Sequence, residues 1–282
     1  MRTLTVTWHG CANIRLEWKG KAIFLDPWFR RNDKSDPRIE STMDSVDDDA
    51  IIFMSHGHFD HLQDVPSIIA KKPGVSVYCS KTARETIHDQ MVARKELDAT
   101  LIPSCMDRVH VIKADDVITI DGKDITVHVI KSRHAIYDVK TIAKAFFKAE
   151  TWRRIRQLCH LMDEYPAGDV FGYDIHLGNE MRVIMYGSLW SRYRDILRQH
   201  ANPDVCILPI AGRFNSDKIA LKIAKILHPR IIIPVHHDDF YPPISYWTPV
   251  TAIKEGAGHL DPPAKFMELP VEEPVKIEID TS

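Results

Sequence analysis

The stretch SHGHFDH, residues 55–61, places His56, His58, Asp60 and His61 within six positions, directly after the apolar run AIIFM (50–54). Imidazole nitrogens and carboxylate oxygens are the donors that zinc, iron and manganese accept. His56 and His58 stand two apart, so on an extended segment both rings point to one side. Asp60 and His61 fall where the chain turns toward a helix. One compact loop can therefore offer four ligands to two metal ions a few ångströms apart. The bland alternative, a histidine-rich solvated loop, has no need of so many donor types at this spacing.

Other apolar runs surround this one. TLTVTW, IRLEW and KAIFLD read as N-terminal strands, the last two joined by a WKGK turn. AIIFM and VSVYC (75–79) have the wholly apolar character of strands buried on both faces. A helix is expected over LQDVPSIIAKK (62–72), stopped by Pro73-Gly74, and another from the cap Ser80 to about residue 92. RVHVIKA, VITI and ITVHVIKSRH follow as strands, then MRVIMYG, VCILPIAG and RIIIPVHH. An amphipathic helix opens at Ser216 and ends at His228-Pro229. Such strand–helix alternation in both halves suggests two sheets face to face with helices outside. The charged stretch 30–49 reads as a surface loop with freedom to move.

Composition excludes several classes. The 282 residues are 44% hydrophobic and 27% charged, the balance of a soluble globular chain. Net charge is −2, so no global field attracts nucleic acid or an anionic membrane. Five scattered cysteines without a CxxC pair argue against a disulfide framework and for a reduced, cytoplasmic setting. No run approaches the roughly 20 apolar residues of a spanning helix. With no linker or repeat, residues 1–282 are expected to form one domain.

Segment 138–166 stands apart as a helical insertion. Val139, Ile142, Ala143, Phe146 and Phe147, then Ile155, Leu158, Cys159 and Met162, recur at helical spacing with basic residues on other faces. A solvated basic face is the first reading. The functional readings are a lid over an anionic substrate, a homo-oligomer contact, or a membrane-surface helix, in that order.

Further histidines sit at strand ends, the rigid mounting points of α/β sheets. His134 closes ITVHVIKSRH, and His236 and His237 close RIIIPVHH; His9, after TVTW, reads as an outer support for the ligands. Arg133 and Arg213 lie at strand ends and could hold a phosphate or carboxylate. Tyr186, Trp190, Phe240 and Tyr241 suit either an apolar pocket wall or the core.

Together, SHGHFDH, SRH and IPVHHDDF, preceded by HGCANIRLEWKGKAIFLDPWF, resemble the metallo-β-lactamase superfamily over almost the whole chain, Thr5 to about Pro243. The likeness is greatest to the branch of the ascorbate-6-phosphate lactonase and the N-acylethanolamine phospholipase D enzymes. In that branch a G-H-A/S-type turn leads to a hairpin ending in Asp-Pro; here HGCA and LDPW stand in those places. The resemblance implies an α/β fold, an αββα four-layer sandwich. It implies that His56, His58 and His134 bind one metal ion, and Asp60, His61 and His236 a second, with Asp26 orienting a ligand histidine. The family pattern favours His236 over His237, which is expected to point into the pocket. One or two divalent transition metals are implied, zinc first, manganese or iron as alternatives.

One position departs from the family. VIMYGSLW puts Ser188 where relatives have the aspartate that bridges both metals. A hydroxyl binds a divalent ion more weakly than a carboxylate. The second site then binds weakly, or Asp238 or Asp26 fills in, or hydrolysis is lost and the fold kept. The expected function is a metal-dependent hydrolase that turns a metal-bound hydroxide on a small anionic ester or lactone, with Asp60 orienting the nucleophile. The alternatives are a phosphodiesterase acting on a lipid or nucleotide, an iron-dependent oxidoreductase, and a non-catalytic metal-binding protein.

Overall fold

In the computed structural model, which describes residues 2–94, 98–120, 124–134, 149–188, 191–211 and 215–280, fourteen strands form two seven-stranded sheets. The first sheet contains β1 (Arg2–Trp8), β2 (Ile14–Trp18), β3 (Lys21–Leu25), β4 (Ile51–Phe53), β5 (Ser76–Cys79), β6 (Val109–Val111) and β14 (Val275–Ile279), ordered β14-β1-β2-β3-β4-β5-β6. The second contains β7 (Val117–Ile120), β8 (Ile125–Lys131), β9 (Phe171–Leu177), β10 (Met181–Tyr186), β11 (Val205–Pro209), β12 (Ile231–Val235) and β13 (Lys265–Phe266), ordered β13-β12-β11-β10-β9-β8-β7. The helices are α1 (Phe59–Leu62), α2 (Val65–Lys71), α3 (Lys81–Ala93), α4 (Ile102–Met106), α5 (Ala149–Glu164), α6 (Arg194–Gln199), α7 (Ser216–Leu227) and α8 (Thr251–Ala257).

Side-chain alternation makes four layers of this. Ile51 and Phe53 of β4 point into a core shared with Leu4, Val6, Ile14 and Leu16 on one sheet and Val127, Tyr173, Val183 and Ile233 on the other. Ala50, Ile52 and Met54 point the opposite way, onto Leu62, Val65 and Ile68 of α1 and α2 and Ile87 of α3. In the second sheet Ile184, Cys206, Leu208 and Ile232 pack outward on Ile219, Ile223 and Leu227 of α7 and Ile253 of α8. AIIFM is therefore apolar throughout because helices cover one face and a second sheet the other. Lys19 (φ 49°) and Gly20 (φ 78°) form the hairpin expected at WKGK, both left-handed as a two-residue turn requires. The metallo-β-lactamase sandwich implied by the resemblance is the fold observed.

Several elements differ from the expectation. The helix expected at 62–72 is two, and the first begins at Phe59, so Asp60 and His61 already lie on α1. RVHVIKA yields a strand of only three residues. β9 and β14 were not expected. In β9, Phe171, Tyr173, Ile175 and Leu177 alternate into the core, but Gly172 and Asp174 dilute the strand signal. Loop 30–49 is pinned: Arg15 clamps Asp47 at 2.8 Å and Arg31 meets Asp238 at 2.7 Å. Of the expected insertion, residues 138–148 lie outside the described residues. α5 turns Leu158 and Leu161 onto the helical layer and leaves Cys159 exposed, against its expected place in the apolar stripe. Among the described residues, no helix is long and apolar enough to cross a membrane.

Candidate metal centre

Several chain segments end at one rim between the sheets. The β4 run continues through Ser55 into His56 and His58; α1 carries Asp60 and His61; β8 leads to His134; β12 ends one residue before His236; and β1 runs into the turn holding Cys11. Donor atoms gather there in two groups, His56 with His58 and His134, and Asp60 with His236 and Cys11; within each group all lie within 4.8 Å of one another. The rings of His56 and His58 stand 5.0 and 4.4 Å from that of His134, centroid to centroid. His56 and His61 rings are 4.0 Å apart, so the groups are adjacent. The six residues expected as ligands thus meet at one place.

Asp26 organises the rings. Its Oδ2 accepts from His61 Nδ1 at 2.8 Å and from Ser55 Oγ at 2.5 Å, while Ser55 Oγ accepts from His56 Nδ1 at 3.0 Å. One buried carboxylate therefore orients His61 directly and His56 through a hydroxyl, and fixes Nδ1 as the protonated nitrogen of both. The Nε2 atoms remain for the site: that of His56 lies 3.1 Å from His58 Nδ1, and that of His61 lies 3.7 Å from Asp60 Oδ2. A metal-bound imidazole has this type of support.

The electrostatics prepare the donors. Burial, then repulsion from His61 and His134, holds His56 well below the ordinary imidazole range. His58 is lowered to about 3 by burial and by His134. Both rings are thus neutral with lone pairs available. Burial opposes the charge on Asp60, but His61 and His236 outweigh it and keep the carboxylate ionised. His61 goes the other way: Asp26 and Asp60 overcome burial and raise it. Neutral imidazoles beside an ionised carboxylate, with rings held from behind, fit a divalent transition-metal ion.

Cys11 is not among the expected ligands, although the HGCA turn that holds it belongs to the resemblance. Its Sγ lies 3.4 and 3.5 Å from the two ring nitrogens of His236 and 4.0 Å from Asp60 Oδ2. The available signal was its place in HGCA, directly after the strand that ends at this rim. Burial, with Asp60 and Asp238 nearby, pushes the thiol up and keeps it protonated.

Other residues take different positions. Ser188, just past β10, is buried, and its carbonyl accepts from Ser132 Oγ at 3.4 Å. Neither expected substitute for the bridging acid is available. Asp238 accepts from the Cys11 amide at 3.0 Å and from Arg31, and Asp26 serves Ser55 and His61. His237 stacks on Trp8 (4.9 Å, 13°) and meets Trp247 edge-on, in place of the expected pocket orientation. His9 contacts Ser41, Phe24 and Phe29 and supports none of the ligand rings through a described hydrogen bond. Arg133 is exposed beside His134, whereas Arg213 and Trp190 lie outside the described residues. Phe240 packs against His236 at 4.6 Å; Tyr186 and Tyr241 belong to the core. His128, His176 and His200 collect far along the chain from the motif, around Asp174, which Arg182 clamps through two hydrogen bonds.

Residues 5–236 match the family model described as "Beta-lactamase superfamily domain". A UPF0173 metal-dependent hydrolase of Polynucleobacter asymbioticus is 25% identical over 236 residues, covering 82% of this chain and 73% of its own. Another, from Aeropyrum pernix, is 27% identical over 249 residues, 86% of each chain. Among solved structures, a metallo hydrolase of the archaeon Ignicoccus hospitalis has the same fold over 99% of this chain and 100% of its own, with TM-score 0.67 and 18% identity.

Proposed function

The chain belongs to the β-lactamase superfamily domain family, and from that premise we propose that it is a metal-dependent hydrolase acting on a small anionic ester or lactone. The observation that carries this reading is the adjacency of the two donor groups, His56–His58–His134 and Cys11–Asp60–His236. Divalent ions held there would supply a Lewis acid and activate water at neutral pH.

The chain's own groups define the remaining chemistry. His56 and His58, held neutral by burial, would hold one ion together with His134. Asp60 is held ionised, so it orients and accepts; a resting proton donor would need a raised pKa. Asp26 and Ser55 keep the imidazoles from turning. Phe240 packs edge-on against the His236 ring and covers it from one side. Arg133, exposed and next to His134 in the chain, is our candidate for holding an anionic group on the substrate.

Elemental analysis of protein purified without chelator, paired with a screen of esters, lactones and phosphodiesters, tests the proposal. At least one transition-metal ion per chain is expected, together with turnover of anionic esters or lactones. His58→Ala should lose most of the metal and the turnover. Full activity in a metal-free preparation would refute the reading, and turnover confined to phosphodiesters would replace the substrate class.

A further inference from the structure

We propose that Cys11 is itself a metal ligand, its thiolate completing the second metal position with Asp60 and His236 where Ser188 supplies no carboxylate. This rests on the metal-dependent reading above and assigns the donor set of its second ion.

The spacing of the donors is the first argument. With Zn–S near 2.3 Å and Zn–N or Zn–O near 2.0–2.1 Å, tetrahedral geometry separates sulfur from nitrogen by about 3.6 Å and two light donors by about 3.4 Å. Cys11 Sγ is 3.5 Å from His236 Nε2 and 3.4 Å from its Nδ1, so the ring must turn about its Cβ–Cγ bond for Nε2 alone to share an ion with the sulfur; His236 Nε2 is 3.4 Å from Asp60 Oδ2. The Sγ–Asp60 Oδ2 distance of 4.0 Å needs only small closure around an ion.

The backbone is the second argument. Cys11 is a non-glycine residue in the left-handed region (φ 50°), and so is His236 (φ 57°). The two are tied directly, the His236 amide donating to the Cys11 carbonyl at 2.8 Å. Trp8 Nε1 donates to the same carbonyl at 2.9 Å, and the Asp238 carboxylate, paired with Arg31, receives the Cys11 amide. A residue of β1's turn and one 225 positions later are thereby held in fixed relation, with the sulfur against the ring.

Charge is the third. On binding, the metal–sulfur bond forms as the S–H proton leaves to solvent. Thiolate and Asp60 carboxylate together then balance one divalent cation, replacing the negative charge that Ser188 cannot provide. The second position then has three protein donors, Cys11, Asp60 and His236, matching the three histidines of the first. A sulfur donor also favours zinc or cobalt over manganese at the second position.

Cobalt(II) loading of the metal-stripped chain, read by electronic spectroscopy, tests this with wild type, Cys11→Ser and Cys159→Ser in parallel. A near-ultraviolet sulfur-to-cobalt charge-transfer band is expected in wild type and in Cys159→Ser, whose cysteine is exposed. Cys11→Ser should lose that band and one bound cobalt ion while keeping the visible bands of the remaining site. Visible cobalt bands without charge transfer in wild type would overturn the Cys11 assignment and leave the metal-dependent reading intact. No cobalt binding at all would remove both. Zinc-edge X-ray absorption of the wild-type zinc protein needs no variant: a sulfur shell near 2.3 Å supports the assignment, and a purely nitrogen and oxygen shell overturns it.

Discussion

Asp26 shows how much one side chain decides at this rim. It sits in the left-handed region (φ 49°) just past β3, and its two oxygens serve the Ser55 amide, the Ser55 hydroxyl and His61. Strained backbone at Cys11, Asp26 and His236 alike is the pattern of residues positioned for a task rather than for stability. Asp26→Asn removes the charge that fixes the His61 tautomer while keeping the volume. Metal affinity, measured by competition with a chromophoric chelator, is expected to fall roughly 10- to 100-fold with the circular dichroism unchanged. Undiminished affinity would mean the imidazoles hold their orientation without it.

At the scale of elements, the metal loop is braced by the segment that follows α5. The Gly57 amide donates to the Ala167 carbonyl at 2.8 Å, and a Cβ on Gly57 would overlap the Pro166 carbonyl oxygen. The glycine of HGH is therefore required by close approach of backbone, since its φ is unremarkable for any residue. Gly57→Ala is expected to destabilise the fold by about 1–3 kcal/mol and to loosen metal binding with it. Thermal denaturation of the metal-free variant checks the first, and a midpoint equal to wild type would show that 166–167 does not press on the loop. The motif's ligands were legible because they lie within one short segment. The brace was not, because it joins positions more than a hundred residues apart, and neither Pro166 nor Ala167 has a side chain that advertises it.

For the whole molecule, the rim is a cluster of mostly buried imidazoles around Asp60 and Asp26. Folded His56 and His58 are held below 6.5 by burial and neighbouring rings, so below that pH the unfolded chain binds protons the folded chain refuses. His61 is raised by Asp26 and Asp60 against burial, so its contribution is complete below 6.5 and is lost as pH climbs through its folded value. The metal-free protein should therefore be most stable near pH 6.5 and lose stability on acidification. Divalent zinc should raise the midpoint at neutral pH and lose that effect as the ligands protonate. Denaturation midpoints across pH, with and without zinc, check both; a metal-free midpoint that rises steadily into acid would contradict the assignment of neutral buried rings. The amino-acid sequence by itself determined the two-sheet sandwich and the donor-rich loop, because apolar periodicity and ligand spacing are local properties of short segments. Only the tertiary structure decided that Cys11 joins the second donor group, that Asp238 is spent on Arg31 and an amide, and that His237 turns to Trp8. Each of these depends on which distant strand ends share a rim, and that is set by sheet order and packing rather than by any local pattern.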